Sequence, residues 1–160
     1  MPLVLNGSSI SGLAAEGGLS SPQTGSVLQV VQGSTSTQAS TSTNTLVDTG
    51  LTATITPKFA SSKILVLVSQ NGVAKATNNT YALLRLLRNG NIVQIFESQL
   101  CFTGSTATNS AGSSTAYLDS PATTSATTYK TQFSSGSNNA VVEVQASSSA
   151  STITLMEIAA

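Results

Sequence analysis

Ala82-Leu83-Leu84-Arg85-Leu86-Leu87-Arg88-Asn89-Gly90-Asn91-Ile92-Val93-Gln94-Ile95-Phe96-Glu97 is the stretch that decides the fold. Four leucines in five positions could make a helical stripe, but Asn89-Gly90 argues otherwise. That dipeptide suits the two positive-φ positions of a type I′ turn, and apolar runs flank it on both sides. With a two-residue turn, Arg88 pairs with Asn91 and the other pairs follow by counting. Leu86 then meets Val93 and Leu84 meets Ile95 on one face, while Leu87 meets Ile92, Arg85 meets Gln94 and Leu83 meets Phe96 on the other. Both faces of this hairpin are largely apolar, and leaving one in water forgoes about 1.5–3 kcal/mol for each large side chain. One face is therefore expected in the subunit core and the other against a neighbouring subunit, with Leu83, Arg85, Leu87, Ile92, Gln94 and Phe96 as the interface and Arg85 with Gln94 as its polar pair. The alternative is that loops of the same chain, or its N-terminal segment, cover the second face.

Moving outward, the hairpin sits among other short runs bounded by turn residues. Val27 to Val31 is the first. In Leu46 to Thr56, the residues Val47, Leu51, Ala53 and Ile55 share a face by period two, and Pro57 ends the pairing because it has no N–H to donate. Lys63 to Gln70 is continuously apolar in its middle, the pattern of a central strand covered on both sides. Ser114 to Asp119 follows. Thr127 to Ser134 puts Tyr129 and Phe133 on one side, Ala140 to Ala146 puts Val142 and Val144 inside, and Ser151 to Ile158 carries Ile153, Leu155, Met156 and Ile158. About nine strands at this spacing predict an all-β fold, an antiparallel β-sandwich of jelly-roll-like type, over residues 25–160. The tract from Ser34 to Thr45 is expected to be an edge strand or polar loop. Residues 1–24 show no persistent period, only apolar islands (Leu3, Leu5, Ile10, Leu13, Leu19) between glycine and serine spacers. They read as an extended arm whose apolar side chains lie on another chain or on the main domain.

Composition narrows the function. Of 160 residues, 8% are charged and six basic residues balance six acidic ones, while 27 Ser and 23 Thr supply most of the polar surface. A chain without net charge has no field to steer phosphate backbones or anionic lipids, so nucleic-acid and membrane-surface partners are not expected. The opening MPLVLNGSSISG lacks a basic start and a continuous apolar stretch, so no signal peptide is expected. The longest aliphatic run, Ile64 to Val68, is far shorter than the about 20 residues of a transmembrane helix.

An inventory of reactive groups gives no catalyst. The chain has no His, hence no conventional triad base, imidazole ligand or neutral-pH proton shuttle. Cys101, between Leu100 and Phe102, reads as a small core hydrophobe. The acids Glu16, Asp48, Glu97, Asp119, Glu143 and Glu157 are scattered without a motif, and no phosphate-binding glycine loop is present. A non-enzymatic chain with no cofactor and no metal is expected.

Five segments carry a family resemblance, three of them in one block. Gly25-Ser-Val-Leu-Gln-Val-Val-Gln-Gly33 leads into a Ser/Thr tract, followed by Leu46-Val-Asp-Thr-Gly-Leu-Thr-Ala-Thr-Ile-Thr-Pro57 and Ser61-Ser-Lys-Ile-Leu-Val-Leu-Val-Ser69. This block resembles tail-fibre and other virion structural proteins of bacteriophages, notably those infecting cyanobacteria. The opening Pro2 to Leu13 is similar to the attachment segment of that group, and Ile153 to Ile158 to its terminal strand. The resemblance implies a homotrimer in the virion, on tail fibre or capsid surface. Residues 1–24 would dock on other phage tail or capsid proteins, and the β-domain would project toward a host-surface glycan. A capsid cement protein that bridges capsomers is the alternative it leaves open.

Overall fold

The computed structural model describes residues 22–137 and 140–160. Over that range the chain is all-β, ten strands and one 3-10 turn (Ala146–Ser148). The strands are β1 Val27–Thr35, β2 Ala39–Thr41, β3 Val47–Ile55, β4 Lys63–Lys75, β5 Thr80–Arg88, β6 Asn91–Thr103, β7 Asn109–Asp119, β8 Thr127–Ser135, β9 Val142–Val144 and β10 Ser151–Ile158. Residues 1–21, with the candidate docking residues Leu3, Leu5, Ile10, Leu13 and Leu19, lie outside the described range.

Two antiparallel sheets face each other. In the first, β1 and β2 run end to end along β10 and β9, which run end to end along β4, and β7 pairs on the far side of β4. The second has the order β3-β8-β5-β6. Counting β1 with β2 and β9 with β10 as single ribbons gives orders 1-8-3-6 and 2-7-4-5, the double Greek key of a jelly roll. Consecutive ribbons repeatedly cross from one sheet to the other, so neither sheet can form without the other.

The alternation of side chains explains the interior. Leu51, Ala53 and Ile55 on β3 pack with Ile64, Val66 and Val68 on β4, Leu86 on β5, Tyr129 on β8 and Ile153 and Leu155 on β10. A second cluster holds Val73, Ala82, Leu84, Phe133, Val142 and Val144. A polar layer separates them. Thr49 and Thr131 share a 2.6 Å hydroxyl bond, the Thr131 hydroxyl donates to the Gln70 side-chain carbonyl at 2.9 Å, and the Gln70 and Gln145 amides both donate to the Ser151 hydroxyl at 3.1 and 3.0 Å. Along each contributing strand a polar residue stands where the core changes cluster: Val68, Gln70, Val73; Tyr129, Thr131, Phe133; Leu51, Thr49, Val47. Slipping any of these strands by one position would leave buried partners unmatched, so the layer fixes register as well as joining the sheets.

The first sheet is creased at the same level. β1 breaks before β2, β9 breaks before β10, and the β4–β7 register shifts between Gln70 and Val73. Gly72 permits that shift. Its φ is +59°, and a Cβ there would stand 2.6 Å from the Ala146 nitrogen of the turn packed over it.

The hairpin is present with its expected turn: Asn89 and Gly90 have φ of 48° and 87°, and Arg88 pairs with Asn91 and Leu87 with Ile92. Beyond those pairs the counted register fails. A bulge shifts it so that Leu86 meets Gln94 and Arg85 meets Ile95, and a second shift sets Leu84 against Glu97. Phe96 consequently turns inward, where it packs against both clusters, and Ile95 turns outward. A Phe ring buries more surface than Ile, and β6 is an edge strand with one side of its backbone free to deform, so the bulge is cheap there. Arg85 and Gln94 are accordingly not paired.

The central strand β4 also departs from expectation. Ile64, Val66 and Val68 are buried, but Leu65 and Leu67 face outward and no described part of the chain covers them.

Candidate assembly surface

The outer face of the first sheet can be read in rows from its strand register. Val30, Met156, Leu65 and Leu118 stand side by side across β1, β10, β4 and β7; the next row is Gln32, Thr154, Leu67 and Ala116; the next is Ser34, Thr152, Ser69 and Ser114. The face thus grades from aliphatic, through mixed, to wholly hydroxyl. No residue in these rows is charged. Val30 and Leu118 are 55% and 54% exposed, and the next row joins Val27 and Ile158 to the exposed ammonium of Lys63. That end lies beside Pro22, Phe59 and Ala159, where the described chain begins and ends.

On the second sheet the outer face divides lengthwise. Its β3 and β8 half is polar: the Lys130 ammonium and the Gln132 amide both donate to the Asp48 carboxylate, and Thr54 bonds Thr128 across the strands. The hydrogen bond from Lys130 holds the Asp48 carboxyl below its ordinary range. The β5 and β6 half is apolar, with Leu83 half-buried, Leu87 buried, and Ile92 and Ile95 50% and 59% exposed. Phe102, further along, packs edge-on against Tyr81 with ring centroids 5.9 Å apart. Arg85 stays within its own subunit, donating to the Leu84 and Glu97 carbonyls at 2.9 and 2.7 Å, which satisfies a carbonyl that the bulge frees. Gln94 leaves its side-chain oxygen buried without a partner.

Of the six interface residues expected from the sequence, Leu83, Leu87 and Ile92 share the outer face of the hairpin. Phe96 packs against the core, Arg85 is spent on carbonyls of its own subunit, and Gln94 keeps a buried, unpartnered side-chain oxygen. Ile95, Val30, Leu65, Met156 and Leu118 were not anticipated. The signal for Leu65 and Leu67 is the unbroken apolar run of β4, which implies a cover on each side without saying that both covers belong to one chain.

β6 and β7 lie along the same long edge of the sandwich, one from each sheet, and the Ser113 hydroxyl donates to the Glu97 carboxylate across it at 2.8 Å. At the end near the hairpin turn, Arg88 contacts both oxygens of Asp119 at 2.9 and 2.8 Å, and the buried Tyr129 hydroxyl donates to Asp119 at 2.6 Å. Burial, reinforced by that carboxylate, pushes the Tyr129 phenol far up, and the bond to Asp119 raises the Arg88 guanidinium. The cluster is a clasp tying the hairpin tip to the end of β7. It also sets Ile92 and Leu118, each adjacent to a clasp level, at about the same height.

Other ionisable groups are structural too. Buried Lys75 donates to the Thr103 hydroxyl and, at 2.6 Å, to the Ser105 carbonyl. The Cys101 thiol bonds the Val73 carbonyl at 3.4 Å, and burial pushes its pKa up. Among the described residues no three of His, Cys, Asp and Glu come together as a metal site. Three surface pockets hold about 120, 140 and 100 Å³, each below the roughly 300 Å³ where ligand sites begin.

A scan against models of known protein families finds no match, and a search of curated proteins finds none either.

Proposed function

We propose that this chain is a non-enzymatic structural subunit of a bacteriophage particle: a short homotrimeric fibre, anchored to tail or capsid by residues 1–24, whose sandwich projects toward a host-surface glycan. The observation that carries the reading is the outward aliphatic surface of a chain with 8% charged residues. Ile92, Ile95, Val30 and Leu118 are each at least half exposed in a single copy. Covering side chains of this kind is worth up to about 1.5–3 kcal/mol each, a driving force for self-association in a domain that otherwise presents hydroxyls. The sequence resemblance supplies the virion, and the jelly roll is a rigid scaffold on which loops can present a recognition surface.

Sedimentation of the purified chain tests the assembly, with a mass of three times 16.1 kDa expected; a monomer would overturn the reading. Deleting residues 1–24 should leave trimers that no longer join particles. Labelling the subunit on particles then places it on tail or spikes, whereas label over capsomer junctions would replace the fibre with a capsid cement protein.

A further inference from the structure

Resting on the reading of a fibre that meets a host-surface glycan, we infer that Tyr81 and Phe102 are the platform on which that glycan stacks, and that the ligand they take is the C–H face of a neutral pyranose ring. The pair stands at the end of the β5–β6 ribbon away from its turn, beside the Thr80–Thr103 pairing. The turn itself is clasped to Asp119 at the end where Pro22 and Ala159 lie. Tyr81 and Phe102 therefore occupy the opposite end of the sandwich, the one a fibre would present.

Phe102 is outside against the ordinary pattern of its strand. Leu100 packs inward on the second cluster, and period two would send Phe102 inward after it. Instead Cys101 takes a left-handed φ of 63°, unfavourable for any residue with a Cβ, and turns its own thiol inward to the Val73 carbonyl. The ladder shows the bulge: Ala82 pairs with Leu100 and Thr80 with Thr103, so Cys101 and Phe102 together oppose Tyr81. Phe102 is left 51% exposed. Strain that exposes a phenyl ring adds nothing to the subunit's own burial, and it points to a contact outside the subunit.

The platform is held in place. A Cβ on Gly136 would stand 2.2 and 2.3 Å from Cε2 and Cζ of Tyr81, so the ring lies directly over the glycine, whose N–H donates to the Tyr81 carbonyl at 2.8 Å. Phe102 meets the same ring edge-on. The bordering loops are tied to one another: the Asn79 N–H donates to the Thr103 carbonyl at 2.9 Å, the Ser137 hydroxyl to the Asn79 carbonyl at 2.9 Å, and the buried Lys75 ammonium to the Ser105 carbonyl at 2.6 Å.

The surroundings select the ligand. Residues 76–79, 104–108 and 136–137 are Asn, Ser, Thr, Ala and Gly, with no charge among them. On β6 the exposed Ser98 and Gln99 separate Phe102 from Ile95, so the rings stand apart from the aliphatic surface nearer the turn. An aromatic face is weakly negative and attracts C–H groups. A pyranose offers C–H groups on one face and hydroxyls around its rim, which neutral amides and hydroxyls can meet. An ionic ligand would find no partner charge in these loops.

The test uses the full chain and four probes, the methyl glycosides of galactose, glucose, mannose and N-acetylglucosamine, read by saturation-transfer NMR. At least one should bind with a dissociation constant of about 1 mM or weaker, as suits a single ring, with the C–H protons of one ring face saturated most. Phe102→Ala and Tyr81→Ala should each weaken binding by at least about threefold. Phe102→Tyr should bind like the wild type, and so should Phe59→Ala, which removes the exposed ring at the opposite end. Near-ultraviolet circular dichroism checks folding, and Phe102, already half exposed, can be removed without opening the core. Failure of all four probes to bind, or an equal loss in Phe59→Ala, would overturn the platform. Binding that survives Phe102→Ala would overturn it too, while leaving a glycan-binding fibre standing with its sugar held elsewhere. The fibre reading itself falls only to a monomeric wild type in sedimentation or to label over capsomer junctions.

Discussion

Replacing Glu157 with Gln is expected to cost about 2–3 kcal/mol and to remove an acid-sensitive part of the stability. Glu157 is fully buried near the end of β10. One carboxylate oxygen accepts the Gln29 amide at 2.6 Å, and the other accepts the backbone N–H groups of Lys58 and Phe59 at 2.7 and 3.3 Å. Burial alone would raise the pKa of this carboxyl, but the hydrogen bonds together outweigh it and the pKa is lowered from 4.5. A Gln at this position has one oxygen to offer where the site has donors on both sides. If that oxygen faces Lys58 and Phe59, its NH₂ opposes the Gln29 amide. Gln29 cannot simply turn over, because the same amide also donates to the Thr56 carbonyl at 2.8 Å.

One charge-assisted bond is therefore lost and two become neutral, and bonds to a charged group contribute about 1.5–3 kcal/mol each. In a chain of this length that is a fall in Tm of about 5–10 °C. The pH dependence follows from the sign of the shift. A carboxyl with a depressed folded pKa stabilises fully above its unfolded value near 4.5, and the contribution fades as pH falls through that value toward the folded pKa. Thermal unfolding at fixed protein concentration, followed by circular dichroism from pH 7 to pH 3, should show the wild type losing stability below pH about 4.5 more steeply than Glu157→Gln. Parallel curves over that range would refute the reasoning.

Further outcomes can be checked the same way. Thr131→Val should cost about 1–3 kcal/mol in urea unfolding, since the buried Gln70 side-chain carbonyl loses its donor while Thr49 keeps the Thr131 backbone carbonyl and the Leu51 N–H. Asp119→Ala should cost about 1–4 kcal/mol, because the buried Tyr129 hydroxyl loses its acceptor and the partly exposed Arg88 loses its carboxylate partner. Gly72→Ala should cost at least about 1–3 kcal/mol, as the new Cβ meets backbone at 2.6 Å on a left-handed residue. Cys101, buried and with its pKa raised, should react with a thiol reagent only when the chain unfolds; stoichiometric labelling of the native protein would contradict its placement.

The parts of the fold that obey local rules were legible in the sequence. Asn89-Gly90 declares its turn through the positive φ it tolerates, and the buried sides of β3, β8 and β9 follow from period two. The bulges of β6 were not legible. Counting from a turn assumes one residue opposite one, and what broke the count was competition between Phe96 and Ile95 for space between two clusters that only the assembled sandwich defines. The aliphatic row was hidden for a different reason. Val30, Leu65, Leu118 and Met156 each look ordinary in their own strands, and only the crossing order of the jelly roll sets them shoulder to shoulder. A continuous apolar run such as Ile64 to Val68 says that both sides of a strand are dry, and it leaves open whether the second cover comes from its own chain.

The polar layer and the crease at its level have a bearing on how such a molecule can vary. The strands β3, β4, β5 and β8 run through that plane, but the apolar side chains of the two clusters meet across it through little more than the ring of Phe96. Loops and side chains at the hydroxyl-rich end can be exchanged wholesale, provided the polar layer's hydrogen bonds are kept, without disturbing the greasy base on which copies would meet. The architecture works like a standard plug with an interchangeable head.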